Sequence, residues 1–233
     1  MNKEEFLKSL SELNIKLTSE QLSKLNCFAQ LLIAENKKYN LTSITDINDI
    51  YLKHYFDSLT MVKIIKLNNQ SLCDIGTGAG FPGIVLKIVF PNIQLTLVES
   101  NKKKCNFLEK VINTLNLKNV EIINERAEEY SKYNREKYDI VTSRAVAPLK
   151  HLLEYSIPLV KINGFYIAMK SNITNEIKDI EIYESKLKIK QIDLVSFNLP
   201  QENSLRTLIK YQKIAITDKK FPRKYSDIKK KSL

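Results

Sequence analysis

Apolar residues recur at helical spacing through the first 65 positions. At Ser71 the rhythm changes to short apolar runs separated by longer amphipathic ones. Phe6, Leu7, Leu10 and Leu13 mark a first helix. Thr18 with Gln21 forms a capping-box signature ahead of Leu22, Leu25, Ala29, Leu32 and Ile33. A third helical run carries Ile47, Ile50, His54, Met61 and Ile65, and no glycine precedes Gly76. Residues 1–66 therefore read as a helical cap. Beyond them, strands are expected at Leu72–Ile75, Gln94–Glu99, Val120–Asn124, Tyr138–Thr142 and Phe165–Lys170. Helices are expected near Gly83–Val89, Asn101–Leu115 and Leu149–Leu159. Strand alternating with helix implies a parallel sheet with right-handed crossovers. Lys190–Phe197 and Leu205–Ile214 have no convincing helix between them and read as an antiparallel pair at the sheet edge. The expected fold is α/β and Rossmann-like. Residues 67–217 form the sheet domain and 218–233 a basic tail.

The segment Ser71 to Gly83 carries most of the chemistry. Its strand runs into glycines at 76, 78, 80 and 83, with Asp74 two residues before the first. Glycine belongs where a chain turns tightly and its backbone lies against a ligand. Gly78, Gly80 and Gly83 spell G-x-G-x-x-G, a dinucleotide fingerprint. Counted from Asp74 the same residues spell D-x-G-x-G-x-G, which resembles motif I of S-adenosylmethionine (SAM) methyltransferases. The second register fits better, because Pro82 removes one of the N–H groups that a pyrophosphate would need. The terminal hairpin also favours the class I methyltransferase version of the fold over the dehydrogenase version. Asp74 and Glu99, each closing a strand, are the acids expected to hold the polar ends of the cofactor. Glu99 suits the ribose of NAD as well as that of SAM, so an NAD(P) reading stays open here.

Composition adds a partner. The chain has 233 residues and a net charge of +11, which points to a polyanion such as nucleic acid. Only five of its 37 basic residues are arginine, and a lysine-rich bias can also come from an A/T-rich genome. Lys219, Lys220, Arg223, Lys224, Lys229, Lys230 and Lys231 crowd the last fifteen residues against Asp227 alone. That clustering favours a binding role, with a solvated tail as the bland alternative. No apolar run approaches a membrane span and no signal-peptide pattern opens the chain, so a cytoplasmic protein is expected. Cys27, Cys73 and Cys105 lack ligand or disulfide spacing. No metal is expected, and a monomer is.

These segments together resemble one family closely, the 16S rRNA guanine-N7 methyltransferases known as RsmG or glucose-inhibited division protein B. The resemblance covers nearly the whole chain. It rests on Tyr39-Asn40-Leu41-Thr42-Ser43, on His54 with Asp57-Ser58, and on the Asp74–Gly83 loop. It continues through Arg126-Ala127-Glu128, Ser143-Arg144-Ala145, Ala168-Met169-Lys170 and Arg206-x-Leu-Ile. The resemblance implies SAM-dependent methylation of N7 on a guanine in the decoding-region loop of small-subunit rRNA. Gly76, Gly78, Gly80 and Phe81 would approach SAM, Ala127 and Glu128 would lie beside its adenine, and Arg144 would sit near the reacting centre. The tail departs from the family pattern. Phe221-Pro222-Arg223 is present, but Ser226-Asp227-Ile228 and Lys231-Ser232-Leu233 replace the Gly, Pro and Lys-x-Pro-Leu that close many relatives.

N7 carries a lone pair and no proton, so such a site needs alignment and no general base. Cytosine-C5 chemistry would need a cysteine nucleophile, and no cysteine here follows a proline. Arg144 is the first candidate for holding guanine O6 or a flanking phosphate, with a surface ion pair as its ordinary alternative. His54 and Asp57, three apart on a helix, either line the guanine pocket or bond the cap to the sheet. Lys170 either meets RNA phosphate or snorkels to solvent, and Arg223 is the tail's candidate RNA contact. Glu128 either accepts from the adenine amino group or opens a helix. Phe81 is expected to face the cofactor, whereas Tyr39 is expected to pack in the core. The competing class is a basic RNA-binding protein with a vestigial SAM site.

Overall fold

In a computed structural model, which describes residues 1–173, 176–231 and 233, the chain forms one seven-stranded sheet with helices on both faces. Ser232, part of the divergent chain end, lies outside the described residues. The strands are β1 (Ser71–Ile75), β2 (Gln94–Val98), β3 (Val120–Ile123), β4 (Tyr138–Arg144), β5 (Val160–Lys170), β6 (Ile189–Asn198) and β7 (Leu205–Lys213). Their order is β3-β2-β1-β4-β5-β7-β6. The first five are parallel, and β7 pairs antiparallel with both β5 and β6. The expected edge hairpin is present. Strand order reverses between β1 and β4, and a crevice opens at the carboxyl ends of strands at such a switch point.

The cap helices are α1 (Lys3–Glu12) and α2 (Ser19–Tyr39), followed by a composite run over residues 47–63. Thr18 accepts from the Gln21 amide while the Gln21 side chain accepts from the Thr18 amide, so the capping box is formed. The third run is not the single α-helix its periodicity suggests. A short α3 (Ile47–Asp49) passes into a π-helical stretch (Ile50–Phe56), then α4 (Asp57–Leu59) and a 3-10 turn (Thr60–Lys63). A π-helical turn re-aims side chains relative to an α-helix and recurs at functional sites. Here it carries His54 to within reach of the sheet.

The crossover helices are α5 (Gly83–Val89), α6 (Lys102–Thr114), α7 (Ala127–Tyr133), α8 (Leu149–Ser156) and α9 (Ile180–Leu187), with α10 (Tyr225–Lys230) in the tail. Periodicity alone does not reveal α7, α9 or α10, which span eight residues or fewer. β5 begins five residues earlier than expected and runs through Gly164. A Cβ there would stand 2.8 Å from the Asp139 carbonyl, so the polar Asn163-Gly164 pair marks a close strand approach and not a strand end.

One apolar cluster joins cap and sheet, with Phe6, Phe28, Leu32 and Tyr55 of the cap packed with Ile84, Leu97, Leu108, Ile167 and Leu208. The other face buries Cys73, Val141, Leu152, Tyr166 and Tyr211 under α8 and α9. Polar ties fix the first layer. The Tyr55 hydroxyl donates to the Leu25 carbonyl at 2.8 Å, and Lys110 on α6 pairs with the buried Glu35 on α2 at 2.7 Å.

Candidate functional site

A cleft of about 850 Å³ opens above the carboxyl ends of β1, β2 and β4, within the size range of small-ligand sites. Its floor is the glycine loop. Gly76 has φ +63°, and a Cβ there would lie 2.7 Å from Val146 Cγ1. Glycine is thus required both by conformation and by room. The Gly76 amide donates to the Val98 carbonyl at 2.8 Å, which ties the loop to β2. At the end of β2, Glu99 faces the cleft and accepts from the Gly78 and Asn101 amides at 3.0 and 2.8 Å. Each carboxylate oxygen accepts more than one bond, so Glu99 retains capacity for ribose hydroxyls.

Asp74 behaves differently from its expected role. It is 0% exposed and does not line the cleft. One oxygen, Oδ2, accepts from the Thr77 hydroxyl at 2.6 Å and the Gly83 amide at 2.8 Å. The acid therefore shapes the loop from beneath. It also consumes the first amide of α5, where a pyrophosphate would dock. A Cβ at Gly83 would stand 2.9 Å from that oxygen. The donor set suits a phosphate-free cofactor and does not fit a dinucleotide.

Its other oxygen, Oδ1, has no partner among the described residues. Burial pushes the Asp74 pKa up to about 7, against the opposing hydrogen bonds from Thr77 and Gly83 and the charge of Arg144. The unfolded value is near 4, so the fold favours the protonated form. This contribution to stability is complete below about pH 4 and is lost as pH rises through 7. Asp74→Asn keeps an oxygen for Gly83 and cannot ionise. Between pH 5 and 8 the wild type is expected to lose about 2–3 kcal/mol more stability than this variant. Urea denaturation at both pH values checks this, and parallel pH dependences would rule it out.

At the β4 end of the cleft stands a four-residue cluster. Arg144, ending β4, donates through Nη1 to the Lys53 carbonyl at 2.8 Å and to Asp57 Oδ2 at 3.0 Å. Its Nη2 donates to His54 Nδ1 at 3.0 Å. The other Asp57 oxygen takes Arg206 Nε, from β7, at 3.1 Å. Because Nδ1 must accept, His54 carries its proton on Nε2, which bonds Thr42 Oγ1 at 3.1 Å. Burial, then the Arg144 charge, push the His54 pKa down to about 3. It is neutral near pH 7 and acts as an acceptor that aims Arg144. The His54 ring stacks on Phe81 with centroids 4.1 Å apart, and Phe28 stacks behind Phe81 at 5.2 Å. Two of the five Arg144 donors, Nε–H and one Nη2 hydrogen, carry no bond among the described residues. The cluster sums to one net positive charge facing the cleft.

The remaining candidates divide. Gly78, Phe81, Ala127, Glu128 and Lys170 line the cleft. Lys170 is paired there with Glu176 at 2.8 Å and donates to the Ala147 carbonyl, so it is held by protein groups. Gly80 does not line the cleft; a Cβ there would strike Ile84 at 2.6 Å and Leu108 at 3.1 Å, so it permits loop-to-helix packing. Arg223 also lies outside, bound to Glu154. Tyr39 is 37% exposed and is not a core residue. Sequence reasoning passed over Lys104, Arg126, Tyr155, Arg206 and Tyr225 as wall residues. Of these Arg126 and Arg206 had a signal, each belonging to a segment that carries the family resemblance, Arg126-Ala127-Glu128 and Arg206-x-Leu-Ile. Among the described residues no helix is long and apolar enough to cross a membrane, and no group of three or more His, Cys, Asp or Glu could hold a metal ion.

Comparisons with known proteins agree with this geometry. The profile of the GidB family, described as rRNA small subunit methyltransferase G, matches residues 21–205. A ribosomal RNA small subunit methyltransferase G from Mycoplasma capricolum is 48% identical over 222 residues, covering 94% of each chain. One of the same description from Bacillus subtilis is 41% identical over 232 residues, covering 96% of this chain and 95% of its own. Among solved structures, M. jannaschii TYW2 in complex with AdoMet superposes with a TM-score of 0.58 at 16% identity, over 74% of this chain and 80% of that one. A SAM dependent methyltransferase from Aquifex aeolicus gives 0.55 at 15%, over 77% and 97%. These two share the fold.

Proposed function

The chain belongs to the rRNA small subunit methyltransferase G family, and on that premise we propose that it methylates N7 of a guanine in the decoding-region loop of 16S rRNA, with SAM as methyl donor, in the cytoplasm. The observation that carries the reading is the pairing, across one cleft, of an open glycine loop beside Glu99 with the partly unsatisfied guanidinium of Arg144. When bound, SAM supplies a methyl on a sulfonium sulfur: the in-plane N7 lone pair forms the new N–C bond, the C–S electron pair returns to sulfur, and no proton moves.

The residues then have three tasks. Gly76 and Gly78 let the backbone approach the cofactor, and Glu99 has acceptor capacity for its ribose. Arg144 has two donors free for O6, the acceptor beside N7 on the exposed guanine edge. Asp57, His54 and the Lys53 carbonyl fix the fork in one orientation, so that alignment is set before substrate arrives. A neutral His54 is compatible with chemistry that needs no base. Lys170 is engaged by Glu176 and the Ala147 carbonyl, so its charge is compensated within the protein and it is given no part in holding the RNA.

Incubating undermethylated small-subunit RNA with the protein and SAM, then cleaving chemically at N7-methylguanine and extending a primer, is expected to give one new stop in the decoding loop. Absence of any stop, on naked rRNA and on the assembled small subunit alike, would overturn the reading. Calorimetry with SAM separates it from a vestigial site, which would bind RNA without cofactor.

A further inference from the structure

The C-terminal segment, marked by composition only as a basic tail, is clamped to the molecule by its arginine. Arg223 bonds Glu154 three times, through its amide and Nε to Oε1 at 2.9 and 2.8 Å and through Nη2 to Oε2 at 2.7 Å. Glu154 lies on α8 and is 0% exposed, so this fork is a fixed anchor and not a surface pair. Arg135 adds a second tie by donating to the Phe221 and Thr217 carbonyls at 2.6 and 2.5 Å. Phe221 and Ile228 are buried in the core under α8 and α9. Arg223 Nη1 also reaches the Lys231 carbonyl at 3.0 Å, which folds α10 back over its own start.

What these anchors present is Tyr225. Its ring lines the cleft, lies 4.5 Å from the Arg126 guanidinium and is 36% exposed. Arg126 is itself held by Glu128 at 2.9 Å. Sheet order says which end this is. From β1, the sheet leads one way to β4 and Arg144, and the other way to β2 with Glu99 and then β3, which feeds Arg126 to Glu128. With the ribose at Glu99 and the reacting methyl toward Arg144, the adenine must extend toward Tyr225.

We infer that Tyr225 is a wall of the cofactor site, brought there by the Arg223–Glu154 clamp, and that SAM binding and docking of the tail reinforce each other. The inference rests on the reading of this cleft as a SAM site. An aromatic ring against a purine is a favourable contact, and coupling between two binding events acts equally in both directions. The tail thus serves the cofactor, whatever its lysines do for RNA.

Calorimetry on wild type, Tyr225→Ala and Tyr225→Phe tests this, with hydrogen exchange across residues 224–231 as a second readout. The alanine variant is expected to bind SAM about tenfold more weakly, and the phenylalanine variant close to wild type. In the wild type, saturating SAM is expected to slow exchange across the tail several-fold. An alanine variant with unchanged affinity, a phenylalanine variant as weak as alanine, or tail exchange indifferent to SAM would each overturn the inference. A wild type that fails to bind SAM would overturn the cofactor reading and this inference together, which distinguishes the two failures.

Discussion

Arg144→Ala is expected to lower rRNA methylation by about a thousandfold or more, while SAM binding remains measurable. The guanidinium has two donors free where a guanine edge would approach, whereas Arg206, the other planar fork of the cluster, is held through Nε by Asp57 and through Nη1 by Ser204. Truncation removes those donors and the charge facing the cleft. The glycine loop and Glu99, which hold the other end of the site, are tied to β2 by hydrogen bonds, and the loop meets Arg144 through Phe81, whose ring centroid lies 5.3 Å from the guanidinium. Arg144→Lys should not rescue, because a lysine cannot keep the Asp57, His54 and Lys53 contacts and still present two donors. Single-turnover methylation read beside SAM calorimetry checks this. Unchanged turnover would remove Arg144 from the reaction.

Asp57→Ala carries the largest expected effect on stability, a loss of about 3–5 kcal/mol. The Asp57 side chain is 8% exposed and sits between Arg144 and Arg206, whose side chains are 13% and 21% exposed. Without it two partly buried guanidinium groups face each other with no intervening charge, and Arg144 keeps only neutral partners. Asp57→Asn keeps one of the two acceptors, sets an NH2 donor against the other arginine and loses the charge, so it should fall between wild type and alanine. Urea midpoints at constant slope report the effect; an alanine variant that melts with wild type would show that the cap is held by packing alone.

Legibility in the sequence followed chemistry that is local. The strands β1, β2, β4 and the hairpin were readable because apolar runs bounded by glycine or polar residues are short-range signals. Gly76, Glu99 and Arg144 could be placed at the cleft because each closes a strand. Asp74 was misassigned because spacing cannot tell an acid that faces a ligand from one that faces the loop beneath it. That distinction depends on which amide lies within 3 Å, and here it is Gly83, nine residues away. His54 and Asp57 could be placed on one helix face, but their shared service to Arg144 required a contact about 90 residues long in sequence. Arg223 shows the same limit in reverse. A tail dense in lysine reads as solvated or RNA-facing, and only the fold reveals a buried carboxylate at Glu154 for its single arginine.

The cap and the sheet share one apolar cluster, and its members run from Phe6 to Leu208. A nascent chain leaves the ribosome from its amino end, so the cap helices emerge with their apolar faces before most of the surface that covers them exists. Leu199 and Leu208, near the far end of the chain, belong to the same cluster. The order of synthesis and the order of burial therefore run apart. The cap meets α5 and α6 once residue 114 is made, but the cluster closes only when Leu199 and Leu208 have followed.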